Sequence, residues 1–355
     1  MVTYALKRKN MNKIILPFLL LPLIFLAGCS ADKSLNLMGG ILRSVDKGEN
    51  WEVKADVGEG KSIASLDILS MAIDPRDSQT IYIGTKKNGI FKTENGAENW
   101  EKMDFPPIKV YAIVLDSSNA DIIYASGVWQ GRGKIYKSED KGAEWKEIYT
   151  EPADGTVITS LNISKNQPQI LYAGTSEGMI FKTADGGSSW KNIFKAPGAV
   201  TEIEFDSSGS AVYFGIFNKG ILRTKDGGEN MEDLAKNFKS AGVKNGIFSM
   251  AVDPNNSGKL YAGLNGGMIR SSNFGDSWEE INILESSKKF PIRALAVNPK
   301  NSRQIIYSAA QAIYNSIDGG EQWSTFQLEA AGIMEVIEFD PIDPNILYAG
   351  LRKVK

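Results

Sequence analysis

The sequence predicts an all-β chain: a seven-bladed β-propeller of four-stranded blades, closed by N- and C-terminal strands that share one blade. Three observations predict it. An eight-residue frame returns seven times, a tyrosine-centred apolar segment falls between successive frames, and the two chain ends supply complementary halves of one unit.

The frame reads Ser/Thr-x-Asp-x-Gly-x-x-Trp. It is complete from Ser44 through Asp46 to Trp51, and again in Ser138, Asp140 and Trp145, in Thr183, Asp185 and Trp190, and in Ser316, Asp318 and Trp323. Three copies are imperfect. Thr93 to Trp100 has Asn95 for the acid and Ala97 for the glycine; Thr224 to Met231 keeps Asp226 but ends in methionine; Ser271 to Trp278 has Asn273. The starts at 44, 93, 138, 183, 224, 271 and 316 are 41 to 49 residues apart, the length of one four-stranded unit.

Between frames lies an alternating apolar run, often ended by Asx-Pro as at Asp74-Pro75, Asp253-Pro254, Asn298-Pro299 and Asp340-Pro341. Asx at the first turn position and proline at the second mark a tight reversal. A core such as Ile81-Tyr82-Ile83-Gly84 or Leu171-Tyr172-Ala173-Gly174 follows, and the same core is read at Ile306-Tyr307-Ser308-Ala309. Each unit thus has four short β runs: before the turn, at the tyrosine, ahead of the frame, and around the tryptophan. Met231 to Ser240 reads as a loop with a helical turn. The chain opens on a third-and-fourth-strand segment, Gly40 to Val53, and ends on a first-and-second-strand segment, Ile333 to Gly350, so the two close the ring and remove open sheet edges. One domain, 40–355, replaces the two or three that 355 residues suggest.

Composition narrows function by exclusion. With 42% hydrophobic and 23% charged residues the chain is that of a folded protein. A formal net charge of −2 and a pI near 5.6 lack the basic field of nucleic-acid binders, so no nucleic acid is expected as partner. The absence of histidine removes imidazole bases and ligands, and a single cysteine removes intrachain disulfides and thiolate zinc clusters. No metal and no cofactor is implied.

Residues 1–28 have the grammar of an export signal: Lys7, Arg8, Lys9 and Lys13, then an apolar run from Ile14 to Phe25, too short to span a bilayer. Met11 is an alternative start. Leu26-Ala27-Gly28-Cys29 resembles the lipobox of bacterial lipoproteins, in which the cysteine is lipidated and becomes the first mature residue. That resemblance implies a lipid anchor at Cys29, a short tether over 29–39, and an extracytoplasmic location on a bacterial membrane, periplasmic or at the cell surface. About ten residues hold the domain within about 35 Å of the bilayer. The mature chain carries 36 cations and 42 anions, a net charge that by itself does not favour anionic lipid.

The frame resembles the Asp-box, or BNR repeat, of bacterial sialidases, xyloglucanases, sortilin-type receptors and the photosystem II assembly factor. The resemblance covers nearly the whole mature chain and specifies fold far better than function. It implies that the frame hairpins sit on the rim, with their acids structural. Its sialidase branch looks for Phe/Tyr-Arg-Ile-Pro, whereas Phe290-Pro291-Ile292-Arg293 exchanges proline and arginine; its xyloglucanases generally have two propellers. The layout is most similar to the assembly-factor branch.

Propellers bind on loops joining strands two to three and strand four to the next blade. The candidates there are Trp129 and Arg132, whose aromatic and guanidinium can stack on a sugar or anchor a protein, with Trp129 folded over its own blade as the alternative. Lys86, Lys87, Glu177, Phe217, Asn218 and Lys219 occupy equivalent loops. Catalysis would need paired carboxylates, and the interblade acids are Asp56, Glu59, Asp104, Glu151, Asp154 and Glu335. The expected function is a lipid-anchored scaffold that binds an envelope protein; the alternatives are a glycoside hydrolase or a lectin acting on extracellular glycans.

Overall fold

Four apolar runs joined by short turns have one way to satisfy their backbone groups, an antiparallel meander. The computed structural model describes residues 39–241, 246–328 and 332–353, and it shows that meander seven times. In blade 1, strands Ile68–Ile73, Ile81–Thr85, Ile90–Thr93 and Glu101–Lys102 pair in sequence order. Blades 2 to 6 span residues 109–150, 158–195, 200–233, 247–281 and 292–327 in the same order. Blade 7 takes Gly332–Phe339 and Leu347–Lys353 from the end of the chain, and Gly40–Ser44 and Glu52–Val53 from its beginning. Gly40 lies opposite Leu351 and Ser44 opposite Leu347, which closes the ring. The expected helical turn is a 3-10 helix, Ala235–Ala241, and a small hairpin, Asp56–Gly58 with Lys61–Ser62, stands between blades 7 and 1. Cys29 and the segment 1–38 lie outside the described residues.

The frame builds the turn between third and fourth strands. Ser44 Oγ donates to Asp46 Oδ1 at 2.8 Å and accepts the amide of Gly48 at 2.9 Å, while Asp46 Oδ1 accepts the amide of Asn50 at 2.9 Å. The same three bonds recur in every copy, including Thr93/Asn95 and Ser271/Asn273, where an amide oxygen does the carboxylate's work. Glycine at the fifth position has φ near +90°, as at Gly48 and Gly142. Ala97 adopts +71° in the copy that lacks it, a strain of about 1 kcal/mol.

Seven apolar clusters lie between neighbouring blades, and the tyrosines are their wedges. Tyr82, Tyr124, Tyr172, Tyr213, Tyr261 and Tyr348 are each about fully buried against the next blade. Tyr124 Oη donates to the carbonyl of Gly186 in that blade at 3.2 Å. The glycine two positions on leaves room for the neighbour's first strand: a Cβ at Gly174 would fall 2.5 Å from Val200, and at Gly350 2.7 Å from Ile68. Tyr307 breaks the pattern read from the sequence. Ile305, not Ile306, pairs with the frame serine Ser316, so Ile306 takes the wedge position toward blade 7. Tyr307 points back to blade 5, stacked on Tyr314 at 4.6 Å, because a one-residue offset in a strand reverses the face.

Candidate functional site

First strands line the central channel, and each carries the same irregularity. Their pairing with the second strand slips by one residue between Ile68 and Ser70 in blade 1, and at the equivalent place in all seven blades. A bulge leaves one residue unpaired and re-aims its side chain. The seven bulged residues are Leu69, Tyr111, Thr159, Thr201, Phe248, Arg293 and Glu335, and all of them line one 540 Å³ cavity. Every first strand starts at this end, as do the second-to-third connections, so the cavity is the channel mouth. Its ring comprises two aromatics, two hydroxyls, an aliphatic, a cation and an anion.

Glu335 Oε2 pairs with Arg352 Nε at 3.1 Å, both half-buried. Arg293 is half-buried and has no ion pair or hydrogen bond among the described residues. Phe217 leans over the mouth edge-on to Phe248, with ring centroids 5.6 Å apart. Deeper, Glu202 and Glu204 point from alternate positions of blade 4, and Glu338 points from blade 7. Glu204, Glu338 and Lys165 also line a 430 Å³ cavity running toward the Asx-Pro turns. Loss of solvation pushes the Glu202 carboxyl well above the usual range, reinforced by Glu204. Loss of solvation, then repulsion from Glu338, raises Glu204 to about 8; desolvation raises Glu338 to about 7, with Lys165 opposing both. Glu338 stays open to water inside the channel, but encircling blades leave that water little of bulk solvent's polarity.

Raised carboxyls make stability pH-dependent. The folded chain holds these protons to higher pH than the unfolded chain, whose glutamates titrate near 4.5, so their stabilising contribution is full below that value and is lost as pH rises through about 7 and then about 8. Scanning fluorimetry at pH 6 and pH 8 should show Glu204→Gln/Glu338→Gln flattening the acid-side gain and raising Tm at pH 8 by about 2 °C. An unchanged slope would remove the two carboxyls from the account.

The candidates named from the sequence scatter over this end. Phe217 reaches the mouth; the others stand around it. Trp129 and Arg132 are strand residues rather than loop residues: strands Ile123–Trp129 and Arg132–Ser138 continue to a two-residue turn at Gln130 and Gly131, with φ of 51° and 81°. That I′-like turn makes Trp129 and Arg132 cross-strand partners. Trp129 is 40% exposed, and Arg132 Nε is taken by Asp154 at 2.6 Å. Lys86 sits 3.5 Å from Asp67, whereas Lys87, Glu177, Asn218 and Lys219 are exposed. Among the acids, Glu335 belongs to a strand bulge rather than an interblade loop. Glu151 is buried and accepts from Tyr149 Oη, Glu59 pairs with Lys61, Asp56 accepts the Gly58 amide, and Asp104 is exposed.

The frame acids lie at the opposite end and are spoken for. Bonds from Ser189 and Thr183 hold Asp185 down to about 2, and the Asn230 amides with Thr224 do the same for Asp226. An 810 Å³ depression at the frames of blades 2 and 3 is bordered by Asp140, whose carboxylate is tied to its own turn, and by ion-paired Glu139 and Glu147. Among the described residues no group of His, Cys, Asp and Glu has metal-site geometry, and no helix is long and apolar enough to cross a membrane.

No family model matches the chain. Over 156 residues, 36% of its length, it is 30% identical to xyloglucanase Xgh74A of Acetivibrio thermocellus, of which it covers 18%. The chain thus spans under a fifth of that relative. The GH74 xyloglucanase structure from Xanthomonas campestris superposes with a TM-score of 0.68 at 17% identity, over 85% of this chain and 52% of that one. YCF48 from Cyanidioschyzon merolae gives 0.63 at 15% identity, over 80% of this chain and 95% of that one, and YCF48 bound to D1 peptide gives 0.61 at 17% identity, over 82% and 93%. At these identities the likeness is one of fold: the chain is a seven-bladed β-propeller whose structural neighbours are GH74 xyloglucanase and YCF48 propellers.

Proposed function

We propose that this is an exported Asp-box propeller, lipid-anchored through Cys29, that binds a polypeptide segment of an envelope protein at the channel mouth. The observation that carries the reading is the bulge ring, where unpartnered Arg293 stands with Phe248 and Phe217. A guanidinium beside aromatic edges suits a peptide's carboxylate and apolar side chains. The fold likeness supports it, since the YCF48 structures, one of them bound to a peptide, are among the structural neighbours. The recurring frame bonds support the Asp-box reading.

A glycoside hydrolase is the second reading. Glu204 and Glu338 favour it, because an acid kept protonated near neutral pH is what glycosidic cleavage requires.

One experiment separates the two. A photo-crosslinking residue at position 293, in cells, should capture an envelope protein, while one at frame position 318 should not. In parallel, residues 30–355 are incubated with sialosides, β-glucans and xyloglucans and products are read by mass spectrometry. Release of a defined product that disappears in Glu204→Gln would overturn the scaffold reading.

A further inference from the structure

The mouth face and the frame face differ in what they show to solvent. Among the described residues, seven large hydrophobics are conspicuously exposed. Four of them are at the mouth end by topology: Ile108 just before the first strand of blade 2, Trp129 ending its second strand, Phe217 just after the second strand of blade 4, and Phe290 leading into blade 6. Val128 pairs with Lys109, which sets Trp129 beside Ile108. The anchors therefore stand on blades 2, 4 and 6, three separated points around a ring. Three such points define a plane, whereas a groove ligand would need them contiguous.

Charge divides the same way. The seven frames hold thirteen carboxylates against three lysines. Outside the frames, taking both ends of the propeller together, the mature segment has 33 cations and 29 anions. At the mouth end Lys87, Lys109, Lys219, Lys289 and Lys353 have no ion pair among the described residues. The remaining exposed hydrophobics, Val45, Ile317 and Ile342, lie at the acidic frame end.

We propose that the mouth face lies flat on an anionic lipid bilayer, with Ile108 and Trp129, Phe217 and Phe290 entering the interface and the unpaired lysines facing phosphate headgroups. Indole and phenyl groups at headgroup depth beside lysines are what interfacial attachment uses. The chain's route agrees. Gly40 begins a third strand, which starts at the mouth end, so an anchor at Cys29 would have its tether enter the ring at a strand end on this face. Only that clause rests on the anchored reading of Cys29. The mouth would then meet polypeptide where it leaves the membrane.

Residues 30–355, which contain the whole closed ring and omit Cys29, are sedimented with vesicles of phosphatidylcholine alone and of phosphatidylcholine mixed with phosphatidylglycerol. Binding to the mixed vesicles is expected, weakening with added salt. Each of Lys87→Gln, Lys219→Gln and Lys289→Gln should weaken it about fivefold. Trp129→Ser/Phe217→Ser/Phe290→Ser should abolish it, and Val45→Ser/Ile317→Ser should leave it unchanged. These are surface positions, so unaltered Tm certifies the fold. No binding to either vesicle, or equal losses from both faces, would overturn the proposal. Crosslinking at position 293 succeeds or fails independently of this outcome, which keeps the two readings apart.

Discussion

A chain ending at Asp340 is expected to lose cooperative unfolding altogether. The missing strand, Leu347–Lys353, is the middle of blade 7 and pairs on one side with Gly332–Phe339 and on the other with Gly40–Ser44. Without it the N-terminal pair, Gly40–Ser44 with Glu52–Val53, has no sheet to join, and both it and Gly332–Phe339 present open edges. Tyr348 and Gly350 go with it, and with them the wedge against Ile68 that seals blade 7 to blade 1. The measurement is circular dichroism through a thermal ramp, with aggregation followed by light scattering. A sharp transition within a few degrees of the full chain would show that six blades suffice.

Trp278→Ala should be strongly destabilising, and more so than Trp190→Ala. Trp278 is about 5% exposed, donates its indole N–H to the carbonyl of Gly275 at 3.0 Å, and meets Phe238 edge-on at 5.2 Å. Truncation of a large buried aromatic leaves a cavity, here against Leu234 and Phe238, and typically costs about 3–5 kcal/mol. Trp190 is only half-buried and its indole nitrogen has no partner, so Trp190→Ala should cost clearly less. Urea unfolding of the two variants side by side tests the ordering. Equal losses would mean that cavity formation is not what the frame tryptophans guard against.

The number of blades, their strand order and the closure were legible because they follow from a period and from local turn chemistry. Asn95 and Asn273 even disclosed that the frame acid is a hydrogen-bond acceptor first. The position of Tyr307 was not legible, since two adjacent residues, Ile306 and Tyr307, both satisfy an apolar pattern and only pairing with Ser316 decides which faces blade 7. The mouth was less legible still. Thr201, Phe248 and Arg293 sit among alternating residues of first strands, and nothing in a linear pattern reveals where the pairing slips. Loop reasoning found Phe217 and, by misplacing it, Glu335. It passed over Glu202, Glu204 and Glu338, because a carboxylate on a strand reads as a solvated face until a ring of blades closes around it.

The repeated slip of the first strands separates two kinds of inheritance. A bulged residue makes no ladder pair and lies outside the apolar clusters between blades, so its identity is less constrained than that of the tyrosines, glycines and frame residues, although Thr159 Oγ1 donates to the Val200 carbonyl of the next blade at 2.6 Å. The ring from Leu69 to Glu335 thus reads as seven variable letters on a constant page. Exchanging one changes the chemistry of the mouth and leaves the strand ladder in place.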